Sequence, residues 1–499
     1  MEVKQGSHQP VFGLQILQGD GKTPVNLTGM TSAVFRMRPA NGTALTVTDQ
    51  PMTVANASLG ELFYQWLDGN TATPGRYLAE VQCTFPTGIL TVPFEYNRIL
   101  ISPNLQPIGG GLDLLAMTFV RVVEDFGADP TGVGDSTNAF QSAITYLKGV
   151  GGGTIFCASG TYTANIALVN VTNINFIASG AVTLTPTNTA ADTLLLSGTT
   201  GAIQFHGMWL FTGAATGTKA SIHIATDFRS DLWHRFEYVA ITGGYNAVVI
   251  DGEFGAWFDQ LEIGLTRSTG LVLTGTYGTL PSGGVNNVHI GHMMGDSPGQ
   301  TMVYIQQGAF ITFERVDIEG ADIAFNLQPS VAFGINGVFI NNAFVDNNQH
   351  GGIIMGFGAG SGFGIYIRGG GSTNSQVAGT SGILIGPGVF WVFVDDMNCS
   401  SNAGYGIRIA AAVHDIHIHN CACNSNNQHG VYVDGAATDF EITGTTANSN
   451  GGYGVAVAAV AADYYVIQGC VARANVSAPG ISDGGTGTHK VVAGMNVSV

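Results

Sequence analysis

Charge is scarce in this sequence. Asp, Glu, Lys and Arg supply 10% of the 499 residues, against roughly a quarter in ordinary soluble proteins, and only 17 residues are Lys or Arg. Nucleic-acid binding needs basic surface to displace counterions, and adsorption to anionic lipid needs the same. A net charge of −17 argues against both partners. Cysteine is scarce as well. Six in 499 residues are too few for a disulfide framework, so buried free thiols are expected. Long apolar runs are missing: the most apolar stretch, 453–467, is interrupted by Asp463 and is shorter than the ~20 residues of a spanning helix. Residues 1–6 lack the apolar core of a signal peptide, and no membrane insertion is expected. Phosphate-loop, zinc-type cysteine and nucleophile-elbow patterns are absent too, so no cofactor is expected.

Glycine stands where charge does not, at 72 residues, with Asn, Thr and Ser beside it. Mean hydropathy is +0.24 without a spanning segment, which suits a stacked core whose outer faces carry hydroxyls and amides. Such a surface suits a carbohydrate partner. Length points the same way. A chain of 499 residues is too long for one compact domain, but a solenoid escapes that limit because each coil buries its core only against its neighbours.

The first hundred residues read as all-β. Alternating runs at 11–17, 33–37, 60–66 and 77–83 are separated by turn signals such as Gly19-Asp20-Gly21, Ala40-Asn41-Gly42 and Asp68-Gly69-Asn70. That spacing predicts a β-sandwich over 1–105. Pro107 and Gly109-Gly110-Gly111 mark 106–119 as a linker, and 120–499 is expected to be the solenoid.

Toward the C-terminus the repeat is legible directly. Ser401-Asn402, Ser425-Asn426 and Ser449-Asn450 recur every 24 residues, as do Gly406-Ile407, Gly430-Val431 and Gly454-Val455. A period in the twenties marks a solenoid. Stacking predicts Ile407, Val431 and Val455 as one interior column and Asn402, Asn426 and Asn450 as a turn ladder. Gly406, Gly430 and Gly454 are expected at a tight corner, with Cys399 and Cys423 stacked inside.

Upstream lies Val120-Arg121-Val122-Val123-Glu124-Asp125-Phe126-Gly127-Ala128-Asp129-Pro130-Thr131-Gly132, followed by Gly134-Asp135-Ser136-Thr137-Asn138-Ala139-Phe140. Gly151-Gly152-Gly153-Thr154-Ile155-Phe156-Cys157-Ala158-Ser159-Gly160-Thr161-Tyr162 comes next. This stretch resembles the opening of the pectate-lyase-like right-handed parallel β-helix in bacteriophage tailspikes, with Ala158 where that family usually has Pro. A helix is predicted over 137–148, capped by Asp135 or Ser136 and burying Ala139, Ala143 and Ile144. It would cover the open strand edges of the first coil; Asp125 and Asp135 are read as structural. The order of elements in 1–105 is similar to the N-terminal domain of phage baseplate upper proteins.

The resemblance implies an all-β protein in which 1–105 attaches to phage tail or baseplate proteins and 120–499 is a right-handed parallel β-helix. It implies a parallel homotrimer on the virion, made in the bacterial cytoplasm and acting at the host surface. The expected partner is a capsule, exopolysaccharide or lipopolysaccharide glycan, depolymerised by hydrolysis or by β-elimination. The alternatives are a fibre that binds glycan without cutting it and a purely structural spike.

Charge concentrates in the middle coils. Short strands at 236–241, 258–263, 288–293 and 313–318, taken as successive coils, stack Glu237, Asp259, His289 and Glu314 in one column. Ala240, Glu262, His292 and Asp317 form a second. In Val316-Asp317-Ile318-Glu319 the apolar residues point inward, so Asp317 and Glu319 share the outer face about 7 Å apart. Glu262 and Asp317, two coils apart, are separated by about 10 Å. Both separations suit an inverting glycosidase, which needs room for a water between acid and base. The candidate catalytic residues are Glu262, His292, Asp317 and Glu319, with Asp259 and Glu314 in the neighbouring column. Arg315 would serve an acidic sugar and favour elimination. The competing reading is a solvated face whose acids cap turns.

Other groups carry weaker signals. His417 and His419 alternate with Ile416 and Ile418, so both imidazoles point outward. Three such pairs on a trimer axis could hold a transition metal, but no Cys or carboxylate of matching spacing accompanies them and no metal is expected. Asp395-Asp396 reads as a coil corner. Trp209, Trp233, Trp257 and Trp391 are sugar-stacking platforms if exposed and packing residues if not.

Overall fold

The computed structural model describes residues 2–4, 12–17, 23–40, 42, 44–67, 70, 75–102, 119–212, 219–226, 233–252, 254–275, 285–296, 299–330, 334–410, 413–458, 461–492 and 497–498. The chain divides into two compact units, Met1–Asp113 and Leu114–Val499. The linker expected at 106–119 lies, up to residue 118, outside the described residues.

The first unit is the expected β-sandwich. Ser32–Pro39, Val47–Pro51, Gly75–Phe85 and Gly88–Ser102 pair antiparallel in one sheet, with Glu2–Lys4 added parallel at its edge. Phe12–Gln15, Glu61–Tyr64 and Thr53–Asn56 form a second. Alternation along Ser32–Pro39 buries Phe35 and Met37, and Tyr64 of the second sheet stacks on Phe35 with ring centroids 4.3 Å apart. Trp66 meets both rings edge-on, closing the core.

The second unit is a right-handed parallel β-helix. One face is a thirteen-stranded parallel sheet from Ile166–Val169 to Ile481–Asp483, and a twenty-stranded sheet covers the other two. Strands such as Gly201–Thr212 bend round a corner between those two faces, pairing with Thr172–Ala178 by one half and with Val182–Thr185 by the other. Seven strands of the long sheet are β1 (His234–Thr242), β2 (Phe254–Gly264), β3 (Met293–Asp296), β4 (Val316–Glu319), β5 (Ile335–Asp346), β6 (His414–His419) and β7 (Thr438–Thr443).

Period-two alternation turns one side chain in two inward, and parallel stacking places like on like. Phe176, Phe205, Phe236 and Phe258 stack at 4.5, 5.0 and 4.6 Å inside the helix. Ile407, Val431 and Val455 form the expected column. Buried Asn402 donates its backbone and side-chain N–H groups to Asn426 Oδ1 at 2.9 and 3.1 Å, and Asn426 repeats the pattern on Asn450. The ladder runs one rung further, to Asn475, where the spacing has lengthened to 25 residues. The glycine column stands at the expected corner, with Gly430 and Gly454 in bends just before their strands and Gly406 at the start of its own. A Cβ on Gly406 would lie 2.6 Å from both the Cys399 and the Gly430 carbonyl oxygens, so close backbone approach, not a positive φ, requires glycine there.

The helix α1 (Thr137–Gly149) buries Ala139, Phe140, Ala143, Ile144 and Leu147. Its first turn is held by Asp135, whose Oδ1 accepts the Thr137 N–H at 2.8 Å. Ser136 makes no cap bond; its Oγ accepts the Asp129 N–H instead. Gln141 and Lys148 donate to the Ala167 and Val169 carbonyls of the edge strand Ile166–Val169. The helix thus satisfies part of the open edge that a parallel stack leaves exposed. All six cysteines are free and buried, and no described helix is long and apolar enough to cross a membrane.

Candidate functional site

A groove of about 340 Å³ opens on the outer face over β1 to β4. Its lining includes Thr242, Glu262, Met294, Asp296, Asp317 and Glu319, and no Lys or Arg is among the described lining residues. The acids arrive there by register. Glu262 pairs with Met294 and Met294 with Asp317, so Glu262 and Asp317 occupy one column two coils apart. Gly264, Asp296, Glu319 and Asp346 form the next column. Asp296, Asp317 and Glu319 are exposed and Glu262 is half-buried.

Neighbouring side chains hold some of these carboxylates in place. Asn347 Nδ2 donates to Glu319 at 3.1 Å. The Tyr238 hydroxyl, its pKa raised chiefly by burial, hydrogen-bonds Glu262. Asp346 accepts from Thr373 Oγ1 at 2.6 Å and Asn374 Nδ2 at 2.7 Å, which engages it with the next coil.

Three of the six expected catalytic residues, Glu262, Asp317 and Glu319, therefore share one groove. His292 does not sit between the carboxylates as expected. It occupies the corner between Asn286–Ile290 and β3, where its carbonyl accepts the Leu261 N–H. Met294 fills the place assigned to it. The cause is an uneven coil: the corner before Met293 spends two residues, Gly291 and His292, outside the strands.

In the neighbouring column His289 does not take the place expected for it between Asp259 and Glu314. It pairs with Trp257 and Thr312 instead. Arg235 reaches Asp259 Oδ2 at 2.8 Å, and Trp257 Nε1 donates to Asp259 Oδ1 at 2.5 Å, so both oxygens are engaged. The Trp257 ring lies 4.0 Å from His289. Burial lowers the His289 pKa, opposed by Glu314 and Asp259. Glu314 Oε2 accepts from Asn341 at 3.5 Å.

Asp296 was not foreseen. Its signal was present: Met293-Met294-Gly295-Asp296 carries the same inward-outward alternation as Val316-Asp317-Ile318-Glu319, and the two strands pair along their length. Arg315 is exposed but does not line the groove. Among the tryptophans, Trp209 is fully buried while Trp233 and Trp391 are 38% and 52% exposed. Asp396 is a corner residue, with φ 57°, in line with Asn420 and Gly444 of the following coils.

No family model and no curated protein matches the sequence. Among solved structures, the A-module of an Azotobacter vinelandii mannuronan C-5 epimerase is similar at 15% identity, over 76% of this chain and 99% of that one, with TM-score 0.45. The catalytic unit of a GH87 α-1,3-glucanase from Streptomyces thermodiastaticus is similar at 14% identity over 94% and 87%, with TM-score 0.42. The Dettilon tailspike protein is similar at 12% identity over 75% and 68%, with TM-score 0.32. These likenesses are of fold at most, and no activity passes from those proteins to this chain.

Proposed function

We propose that this protein is a phage tailspike that binds and hydrolyses a bacterial surface polysaccharide in the acidic groove. The observation that carries the reading is the grouping of Glu262, Asp296, Asp317 and Glu319 over adjacent coils of one groove. In a chain with 34 acids over 499 residues, a solvated face does not require four of them together. Asp317 and Glu319 on one strand face stand ~7 Å apart, a separation that accommodates a water between general acid and general base. One protonates the leaving oxygen and the other activates the water. A groove whose described lining carries carboxylates and no Lys or Arg repels an acidic sugar, which favours hydrolysis of a neutral glycan over elimination.

Exposed side chains support the homotrimer. Leu265, Phe310, Phe357 and Trp391 are 63, 58, 50 and 52% exposed, and all four have φ between 54° and 62°. Bulky residues adopt that region only under constraint. The coil corners account for the backbone, since the same region recurs at Asn287, Asp415 and Asp439; a neighbouring copy that buries these side chains accounts for their exposure. The sandwich at 1–105 serves as the virion-attachment domain. The test is incubation of the purified protein with capsule or lipopolysaccharide, with sizing of the products. Release of oligosaccharides of defined length supports hydrolysis; adsorption without release leaves a glycan-binding spike.

A further inference from the structure

The outer face of β6 carries His417 and His419, and their inward neighbours Ile416 and Ile418 are buried. Parallel register places Glu441 of β7 directly beside His417. The sequence pattern concealed this carboxylate because it lies a full coil away, and it corrects the expectation that none accompanies the pair. Glu441 Oε1 lies 2.7 Å from His419 Nε2, and its Oε2 lies 3.5 Å from His417 Nδ1. One atom from each of the three residues falls within 4.8 Å of the other two.

The surroundings orient these rings. Asp395, the register partner of His419 on the preceding coil, lies 3.1 Å from His419 Nδ1. Arg368 holds the other oxygen of Asp395 at 3.3 Å. With Nδ1–H donating to Asp395, Nε2 of His419 faces the Glu441 carboxylate. In the metal-free protein a proton on Nε2 completes a hydrogen bond to Glu441 at 2.7 Å, and a divalent ion would take that proton's place. His417 is fixed from the opposite side by Phe393, stacked on it at 4.7 Å and 6°. A carboxylate behind a histidine whose other nitrogen faces the ligand position is the arrangement that orients metal-binding imidazoles.

We propose that His417, His419 and Glu441 bind one divalent transition-metal ion per chain, of the zinc class, between β6 and β7. Two imidazoles and one carboxylate suit zinc and its neighbours, whereas calcium and magnesium take all-oxygen sites. Ligand atoms around a tetrahedral zinc stand roughly 3.3 Å apart, so small side-chain rotations from the present spacing close the set. Three protein ligands leave a fourth position to water. The ion joins two successive coils and needs no second chain.

The experiment is calorimetric titration of the full chain, stripped with chelator, using zinc chloride. The expected result is one zinc per chain, with a melting temperature that rises with added zinc. His417→Gln and Glu441→Gln each weaken binding at least tenfold, while their circular dichroism in chelator matches the wild type. His489→Gln, which removes a separate imidazole beside Asp463, leaves binding unchanged. Absence of stoichiometric binding by the wild type overturns the proposal. So does undiminished binding by Glu441→Gln, which would assign the ion to histidines alone, as on a trimer axis. Should Glu441→Gln fold poorly, His417→Gln decides on the same criteria.

Discussion

Asp296 and Glu319 are register partners on adjacent coils, about 4.8 Å apart along the stack, while Asp317 shares a strand face with Glu319. Glu319 therefore belongs to two possible pairs, one along the strand and one across it. Only the pair along the strand leaves room for a water between the carboxyl groups. Asp317→Asn and Glu319→Gln should each lower oligosaccharide release at least a hundredfold at unchanged melting temperature. Asp296→Asn should stay within tenfold of the wild type, and fresh products should show inverted anomeric configuration by NMR. Full activity in both of the first two variants removes these residues from the chemistry.

The asparagine ladder makes a separate prediction about stability. Asn426 is 1% exposed and joins Asn402 to Asn450. Asn426→Ala strips the acceptor from two buried donors of Asn402, at a cost of about 2–4 kcal/mol. Hydrogen exchange should show coils 402–450 opening more readily, with the first coils little changed, because a solenoid couples only neighbours.

His234 predicts a pH dependence. Burial lowers its pKa from 6.5 to about 3, and its Nδ1 accepts the Ile203 N–H at 3.4 Å. An unfolded chain takes up this proton near pH 6.5, whereas the folded chain refuses it until about pH 3. Its contribution to stability is therefore complete above pH 6.5 and is lost as pH falls toward 3, by up to ~1.4 kcal/mol per unit. His234→Asn keeps an acceptor and does not titrate. Between pH 6.5 and 4 the variant's melting temperature should fall less than the wild type's; equal slopes exclude His234 as a source.

The thiols should be inert in the native state. Burial pushes the Cys157 thiol well above its ordinary range, and Cys423 is raised by its neighbour Cys399 and by burial. Thiols without thiolate do not alkylate. Mass measurement should find no native modification at pH 8 and six alkylated sites after denaturation without reductant; a missing pair would reveal a disulfide.

The second unit should stand alone. A chain beginning at residue 114 retains the strand Phe119–Arg121, which pairs with Thr154, Ile155 and Phe156 of the first coil. It should fold and sediment as a trimer at micromolar concentration. A stable monomer would refute the assembly, and aggregation would refute the boundary.

What could be read from the sequence depended on how regular each coil is. Between Phe390 and Val455 successive coils are 24 residues apart, so counting places Ile407, Val431 and Val455 and the ladder from Asn402 to Asn450. The capping helix was legible because Asp135 and the spacing of Ala139, Ala143 and Ile144 are local. The middle coils vary: Leu261 pairs with Met293, 32 residues on, Met293 with Val316, 23 on, and Val316 with Ala343, 27 on. Alternation along β4 still placed Asp317 and Glu319 on the outer face, because it depends on neighbours in sequence. Only the tertiary stack decided which residues of different coils meet. It put Met294 in the place expected for His292, set Asp296 against Glu319, and brought Glu441 to His417 and His419. Parallel register is set by loops of unequal length between strands, and a shift of two residues leaves the inward-outward pattern intact while changing every outward partner.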